Sequence, residues 1–246
     1  MQEKIENAQL KTSFEDFWYS FRQNKGAIIG MCLIVLFVLV AIFAPWLAPH
    51  DPTKIFDGKY LSPPFWQDNH EPQFILGTDD LGRDMLSRLI YGARISVGVG
   101  FLVTLFSLIA GTLIGLLAGY RGGKTDTIIM RFMDVLMSLP SILLALVVVA
   151  ILGTGLFNAV IAVSIIKIPS FVRLVRASVI VEKEKDYVIA SKSFGASGFR
   201  QAFINIFPNV LAPLIVQSTL AFSDGILDIA ALGFLGLGAQ PPLPEW

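Results

Sequence analysis

Residues 27–47 read A-I-I-G-M-C-L-I-V-L-F-V-L-V-A-I-F-A-P-W-L, a run without a single charge. A helix of roughly 20 apolar residues spans the roughly 30 Å of hydrocarbon in a bilayer. The run is longer than the roughly 7–15 apolar residues of a signal-peptide core, and a long polar segment precedes it, so it reads as a retained anchor. Cys32, the single cysteine, falls inside it and reads as a small packing residue. Four further apolar runs follow at 97–119, 135–152, 156–175 and 210–237. The last holds Asp224 and Asp228 and is too long for one straight crossing, so a break or re-entrant bend is expected near Gly225 or Gly233. The reading is all-α, a polytopic membrane protein with five spans.

Composition agrees. Of 246 residues 54% are hydrophobic and 15% charged, against about a quarter charged in soluble domains. The net charge of zero gives no sign of a nucleic-acid partner, and one cysteine excludes an internal disulfide or a Cys-rich metal site. His50 and His70 both fall in a polar loop without identifiable metal-binding partners. The partner indicated by composition is the lipid bilayer.

Lysine and arginine set the orientation. Lys4, Lys11, Arg22 and Lys25 precede the first span; Arg121, Lys124 and Arg131 lie between the second and third. Lys167, Arg173, Arg176, Lys183, Lys185, Lys192 and Arg200 lie between the fourth and fifth. These 14 of 19 basic residues share one side if five spans alternate. The N-terminus is therefore expected in the cytoplasm, with 1–26 a cytoplasmic segment, 27–47 the anchor, 48–96 external and 97–246 the core. Within 1–26, Phe14, Phe17, Trp18 and Phe21 recur at i, i+3, i+4 and i+7 beside basic residues, which suits a helix lying in the inner-leaflet interface.

Gly111, Gly115 and Gly119 form a small-xxx-small series in the second span, a face that lets another helix approach closely. Packing within the chain and contact with another subunit both fit it. R-G-G-K-T-D at 121–126 is no phosphate loop, because Ala118 stands where that motif needs its first glycine; it reads as a tight cytoplasmic turn. Asp224 and Asp228, one helical turn apart, fit either the lining of an aqueous pathway or the outer water interface. Lys167 is expected near the inner end of its span, snorkelling to the headgroups, and Asp134 is expected to pair with Arg131.

Residues 186–208, D-Y-V-I-A-S-K-S-F-G-A-S-G-F-R-Q-A-F-I-N-I-F-P, are the most informative. They predict a short helix, a break at Gly195 and Gly198, a second helix capped by Ser197, and an end at Pro208. Tyr187, Val188, Ile189, Phe194, Phe199 and Phe203 would then be exposed, more apolar surface than a solvated connector needs, which points to a partner groove.

This segment resembles the EAA loop of the ABC type I permeases, the membrane subunits of binding-protein-dependent importers. The small pair of that pattern falls on Ala190 and Ser191, its glycine on Gly195 and its proline on Pro208. Ile189 stands where the pattern has glutamate, and Asn205 and Phe207 replace its later isoleucine and leucine. L-G-T-D-D-L-G-R-D-M-L-S-R-L-I-Y-G-A-R at 76–94 resembles the signature of the dipeptide, oligopeptide and nickel branch. I-L-D-I-A-A-L-G-F-L-G-L-G-A-Q-P-P-L-P-E-W at 226–246 resembles the end of that branch's second permease subunit.

The resemblance implies an ABC type I permease fold of six spans, of which five are seen here and the final one is not among them. It implies a multi-pass protein of the bacterial inner membrane, forming half of a pathway for dipeptides or short peptides. The partners implied are a second permease, two cytoplasmic ATPase subunits and an external substrate-binding protein. ATP and Mg would reside on the ATPases, with no catalytic residue, cofactor or metal on this chain. Asp186, Tyr187, Ala190, Ser191, Phe194, Gly195, Ala196, Phe199 and Pro208 would form the coupling loop that docks on an ATPase. The alternative is an ion-coupled secondary transporter using Asp224 and Asp228 as a proton relay. An intramembrane enzyme would need a nucleophile and base, and Ser107 and Ser164 read instead as helix-packing residues.

Overall fold

The computed structural model describes residues 13–245, with side chains from Trp18 onward. Among the described residues the ordered elements are helices, with one isolated bridge between Thr78 and Asp84. α1 (Ser13–Gln23) and α2 (Lys25–Leu47) meet at Asn24, whose side chain accepts the Ala27 N–H at 3.2 Å and caps α2. Trp18 and Phe21 stack on α1 with Arg22 over the Trp18 ring, while the Phe14 and Phe17 side chains lie outside the described residues. α2 exposes apolar side chains around most of its circumference and buries only Ala41 and Ala44. A helix apolar on every side that meets the rest of the chain along one edge only belongs in lipid. Cys32 is exposed on this surface, so it is not the packing residue expected.

α3 (Met85–Arg121) begins 12 residues before the apolar run that announced it. Arg88 and Arg94 mask this first part from a hydropathy reading. Asp84 caps it, accepting from Ser87 N at 3.1 Å and Ser87 Oγ at 2.5 Å, with His50 Nδ1 at 3.3 Å. The segment 48–84 folds onto this helix start. Asp79 accepts from Leu81 N at 3.0 Å, Arg83 N at 2.8 Å and Arg83 Nε at 2.7 Å. Partial burial acts to raise the Asp79 carboxyl, but these hydrogen bonds outweigh it and hold the group below its ordinary range.

The expected third span is broken. α4 (Gly123–Ser138) and α5 (Ser141–Leu152) meet at 96° across Leu139 and Pro140. Proline drives its predecessor out of the helical region, and Leu139 is extended at ψ 141°. α5 has 12 residues, about 18 Å of helix and too short to cross alone. Among the described residues four helices are long and apolar enough to span, or up to five counting the bent pair as one.

α6 (Leu156–Glu182) runs two turns past the apolar run. α7 (Asp186–Ser193) follows, and then α8 (Gly198–Phe234), which is continuous. No break occurs at Gly225, which packs against Val103 of α3; the chain turns only beyond Phe234, where Gly236 takes φ +75°.

The central packing is α3 against α6. A Cβ on Gly111 would sit 2.3 Å from Phe171 Cβ, one on Gly115 2.7 Å from Val175 Cβ, and one on Gly119 2.8 Å from Val179 Cβ. The glycine series thus faces a helix of its own chain, three turns in register. Between these helices Ser107 Oγ reaches the Val103 and Ser164 carbonyls at 2.7 and 3.0 Å. Both serines are buried in helix packing, and neither touches a base.

Candidate functional site

Two features stand out against this frame: the hairpin between α6 and α8, and a charge cluster where the same two helices meet deep in the chain. In the hairpin α7 ends at Phe194, Gly195 turns at φ +82°, and the Ser197 side chain accepts the Arg200 N–H at 3.4 Å to cap the start of α8. Only glycine adopts such a φ without strain. Phe194 is 93% exposed at the tip. Tyr187, Ile189, Ala190 and Phe199 are exposed as well, with Ser191 and Ala196 half-buried. Val188 departs from the expected surface: it is buried in the core against α6 and α8. Phe203 is half-buried, stacked under Phe199 at 4.6 Å.

Pro208 does not end the helix. Residues Gln201–Ile206 take a π-helical turn in which Phe207 N–H donates five residues back to Ala202 O. Proline has no N–H and its ring clashes one turn back; the wider turn admits it without stopping the rod.

A polar hub ties the hairpin to both flanking helices. The Tyr187 hydroxyl donates to the Glu182 carboxylate at the end of α6 and accepts from Asn209 Nδ2 of α8 at 2.9 Å. Asn205 Nδ2 donates to Ser191 Oγ at 2.8 Å and Gln201 Oε1 at 3.2 Å. Desolvation, then the bond to Glu182, pushes the Tyr187 phenol up from 10.0 to about 12. An acid whose folded pKa is raised contributes its stability fully below its unfolded pKa. That contribution persists below pH 10 and fades only as pH climbs toward about 12. Tyr187→Phe removes the donor to Glu182 Oε1 and leaves that carboxylate to Lys185 alone, a loss of about 1 kcal/mol. The variant should raise protease cleavage within 183–209 about fivefold, and an unchanged cleavage rate would remove the hub from the account.

The charge cluster joins Lys167 of α6 to Asp224 and Asp228 of α8. Lys167 Nζ lies 3.4 Å from Asp224 Oδ2 and 2.8 Å from Asp228 Oδ2. The shorter approach is a contact of opposite charges without hydrogen-bond alignment, since the buried Asp228 oxygen accepts no hydrogen bond. Lys167 lies about 16 Å along α6 from Leu156 and about 22 Å from Glu182, near the middle of the helix. In place of the expected snorkelling, the structure shows Lys167 turned to an acid pair on the neighbouring helix. Asp134 likewise binds Arg173 of α6 at 2.6 Å instead of Arg131. Asp126 takes Arg176 in a forked pair, with Nη2 to Oδ2 at 2.6 Å. In both cases α4 lies against α6, and for Asp134 a partner on the facing helix displaces the expected one on its own helix.

Sequence reasoning missed Lys167, Arg173, Arg176 and Asn209 as partners, together with the capping role of Asp84. The available signal was charge inside apolar runs, but pairing it needs to know which helices are neighbours.

Comparison with known proteins agrees with this architecture. Residues 111–246 match the family described as binding-protein-dependent transport system inner membrane component. Residues 12–64 match the N-terminal TM domain of oligopeptide transport permease C. The di/tripeptide transport system permease protein DppC of Pseudomonas aeruginosa is 53% identical over 232 residues, 94% of this chain and 77% of that protein. The dipeptide transport system permease protein DppC of Escherichia coli K12 is 55% identical over 235 residues, 96% of this chain and 78% of the relative. The glutathione transport system permease protein GsiD of Pectobacterium atrosepticum is 39% identical over 242 residues, covering 98% and 79%. Among solved structures, an inward-facing MetNI methionine ABC transporter shares the fold at TM-score 0.56 and 21% identity, over 63% of this chain and 77% of that one. With its apolar helices, the hairpin between two of the longest of them and these matches, the chain belongs to the binding-protein-dependent transport system inner membrane component family, as a multi-pass permease subunit of an ABC importer.

Proposed function

We propose that the chain forms half of the translocation pathway of an ATP-driven importer of dipeptides or short peptides, with its N-terminus in the cytoplasm. A second permease supplies the other half, two ATPase subunits bind on the cytoplasmic side, and an external binding protein delivers the cargo. The chain itself is non-catalytic and holds no cofactor; ATP and Mg belong to the ATPases. The observation that carries this reading is the hairpin 186–208, which presents Phe194 and Phe199 to a partner while Tyr187, Glu182 and Asn209 tie it to two long helices. Asp186, Tyr187, Ala190, Ser191, Phe194, Gly195, Ala196, Phe199 and Pro208 form the coupling element. Closure of the ATPases then moves α6 and α8 together, and the cavity between permeases switches which side it faces. Asp224 and Asp228 line that pathway. The peptide cargo follows the peptide-transport names of relatives more than half identical to this chain.

The test is reconstitution. Proteoliposomes holding all subunits should accumulate labelled dipeptide only with ATP and binding protein present, at least tenfold above vesicles lacking the ATPases. Uptake by this chain alone under a proton gradient would instead establish secondary transport through Asp224 and Asp228.

A further inference from the structure

Two cross-tied loops meet where α3 begins and α8 ends. In segment 48–84 the Thr78 N–H donates to Ser62 O at 3.1 Å, the Ser62 N–H to Thr78 Oγ1 at 2.9 Å, and the Leu61 N–H to Asp79 O at 3.1 Å. In the turn beyond α8, Glu245 Oε2 accepts the Ala239 N–H at 3.1 Å and the Gln240 amide donates to Gly236 O at 3.0 Å. That turn also meets the start of α6, where the Gly155 N–H donates to Leu237 O at 3.3 Å. Loops tied in this way move as units. Arg88, in the first turn of α3, joins them: its Nη1 reaches Pro52 O and Pro242 O, both at 3.4 Å.

We propose that Arg88 is a releasable clasp, which holds the far end of α8 to the start of α3 in the conformation seen here and lets go when α8 swings during transport. This rests on the importer reading above and adds a control on its switch: Arg88 is a positioning residue that sets how readily the pathway changes the side it faces. The rival is a fixed tie, and the geometry argues against it. Firm charged bonds close to about 2.7–2.9 Å, as Arg83 does with Asp79 at 2.7 Å and Arg176 with Asp126 at 2.6 Å. Two contacts of 3.4 Å are a light hold. They are also unequal. On the 48–84 side Asp79 Oδ2 adds its charge, 3.6 Å from Arg88 Nε, whereas Pro242 offers a neutral carbonyl. A departing α8 therefore takes Pro242 away and leaves Arg88 with Asp79 and Pro52. The guanidinium is partly exposed, so water replaces the lost acceptor at little cost.

Arg88→Ala leaves Asp79 paired with Arg83, so segment 48–84 should keep its shape. In the assembled complex in proteoliposomes, basal ATP hydrolysis without binding protein should rise about threefold, the population shift expected from losing one weak hydrogen bond. Melting of the complex and the rate stimulated by loaded binding protein should stay as in wild type. The reverse manipulation closes the clasp: Arg88→Cys with Pro242→Cys, in a Cys32→Ser background, is joined by a short thiol cross-linker cleavable by reductant. Uptake of radiolabelled alanylalanine should fall at least tenfold when linked and return on reduction. Full uptake while linked would overturn the proposal, as would unchanged basal hydrolysis in Arg88→Ala. A lower melting temperature or lost subunits in Arg88→Ala would make the contact a fixed tie and overturn it too. If the wild-type complex showed no ATP-dependent uptake, the importer reading would fall and the clasp with it.

Discussion

Gly111→Leu is expected to prevent formation of a stable subunit. The Gly111 Cα stands so close to α6 that even a Cβ would lie 2.3 Å from Phe171 Cβ and 3.2 Å from the Ile168 carbonyl. Neither obstacle is the free end of a flexible chain, so the helices must part. Gly115 and Gly119, at 2.7 and 2.8 Å from their valines, sit in the same seam, and separation at one turn opens the next. Overpacking a dense core costs about 1–3 kcal/mol, with rigid sites at the upper end or beyond. Within lipid there is little hydrophobic drive to compensate, because close van der Waals packing is itself the source of association. Purified yield and melting temperature of the complex measure the effect. Gly98→Leu is the control, since nothing stands within 4 Å of its Cβ position and the added side chain faces open space. A Gly111→Leu complex that melts like wild type would show that the glycine seam is not what holds α3 to α6.

Lys167→Met should be nearly as damaging, for an electrostatic reason. It removes the cation between Asp224 and Asp228 and leaves two carboxylates one turn apart in the middle of the chain. Breaking a buried pair by deleting one partner costs roughly 3–5 kcal/mol. With Asp224 61% and Asp228 34% exposed, the expected loss falls below that range, to about 1–2 kcal/mol. Adding Asp228→Asn to Lys167→Met removes the less exposed member of the stranded pair and should recover at least half of the lost thermal stability, a coupling that a double-mutant cycle reads directly. If Lys167→Met alone is as stable as wild type, the pairing is incidental to the fold.

How much of this was legible in the sequence depends on the kind of interaction. Apolar runs report burial in lipid along one chain segment, so α2, α6 and most of α8 could be placed from composition alone. Helix ends were harder: Arg88 and Arg94 hid the first turns of α3, and Pro140 turned one expected crossing into an elbow that hydropathy averages over. Pro208 misled in the opposite sense, because a local rule that proline stops a helix gave way to a π-helical turn. Gly195 and Ser197 were readable, since a positive φ and an N-cap are local needs met by particular residue types. Partners across helices were not. Lys167 with Asp224 and Asp228, Asp134 with Arg173 and Tyr187 with Asn209 depend on which helices lie side by side. Spacing within one helix suggested Arg131 for Asp134, and the tertiary neighbour won.

The uninterrupted course of α8 through Pro208 has a mechanical consequence. From Gly198 to Phe234 it is a single rod of 37 residues, about 55 Å long at the helical rise. Tilting such a rod by about 5° about its Gly198 end carries the far end sideways by about 5 Å. The aromatic tip and the turn beyond Phe234 are therefore two ends of one lever, and a small displacement imposed at the hairpin is magnified at the opposite end of the helix.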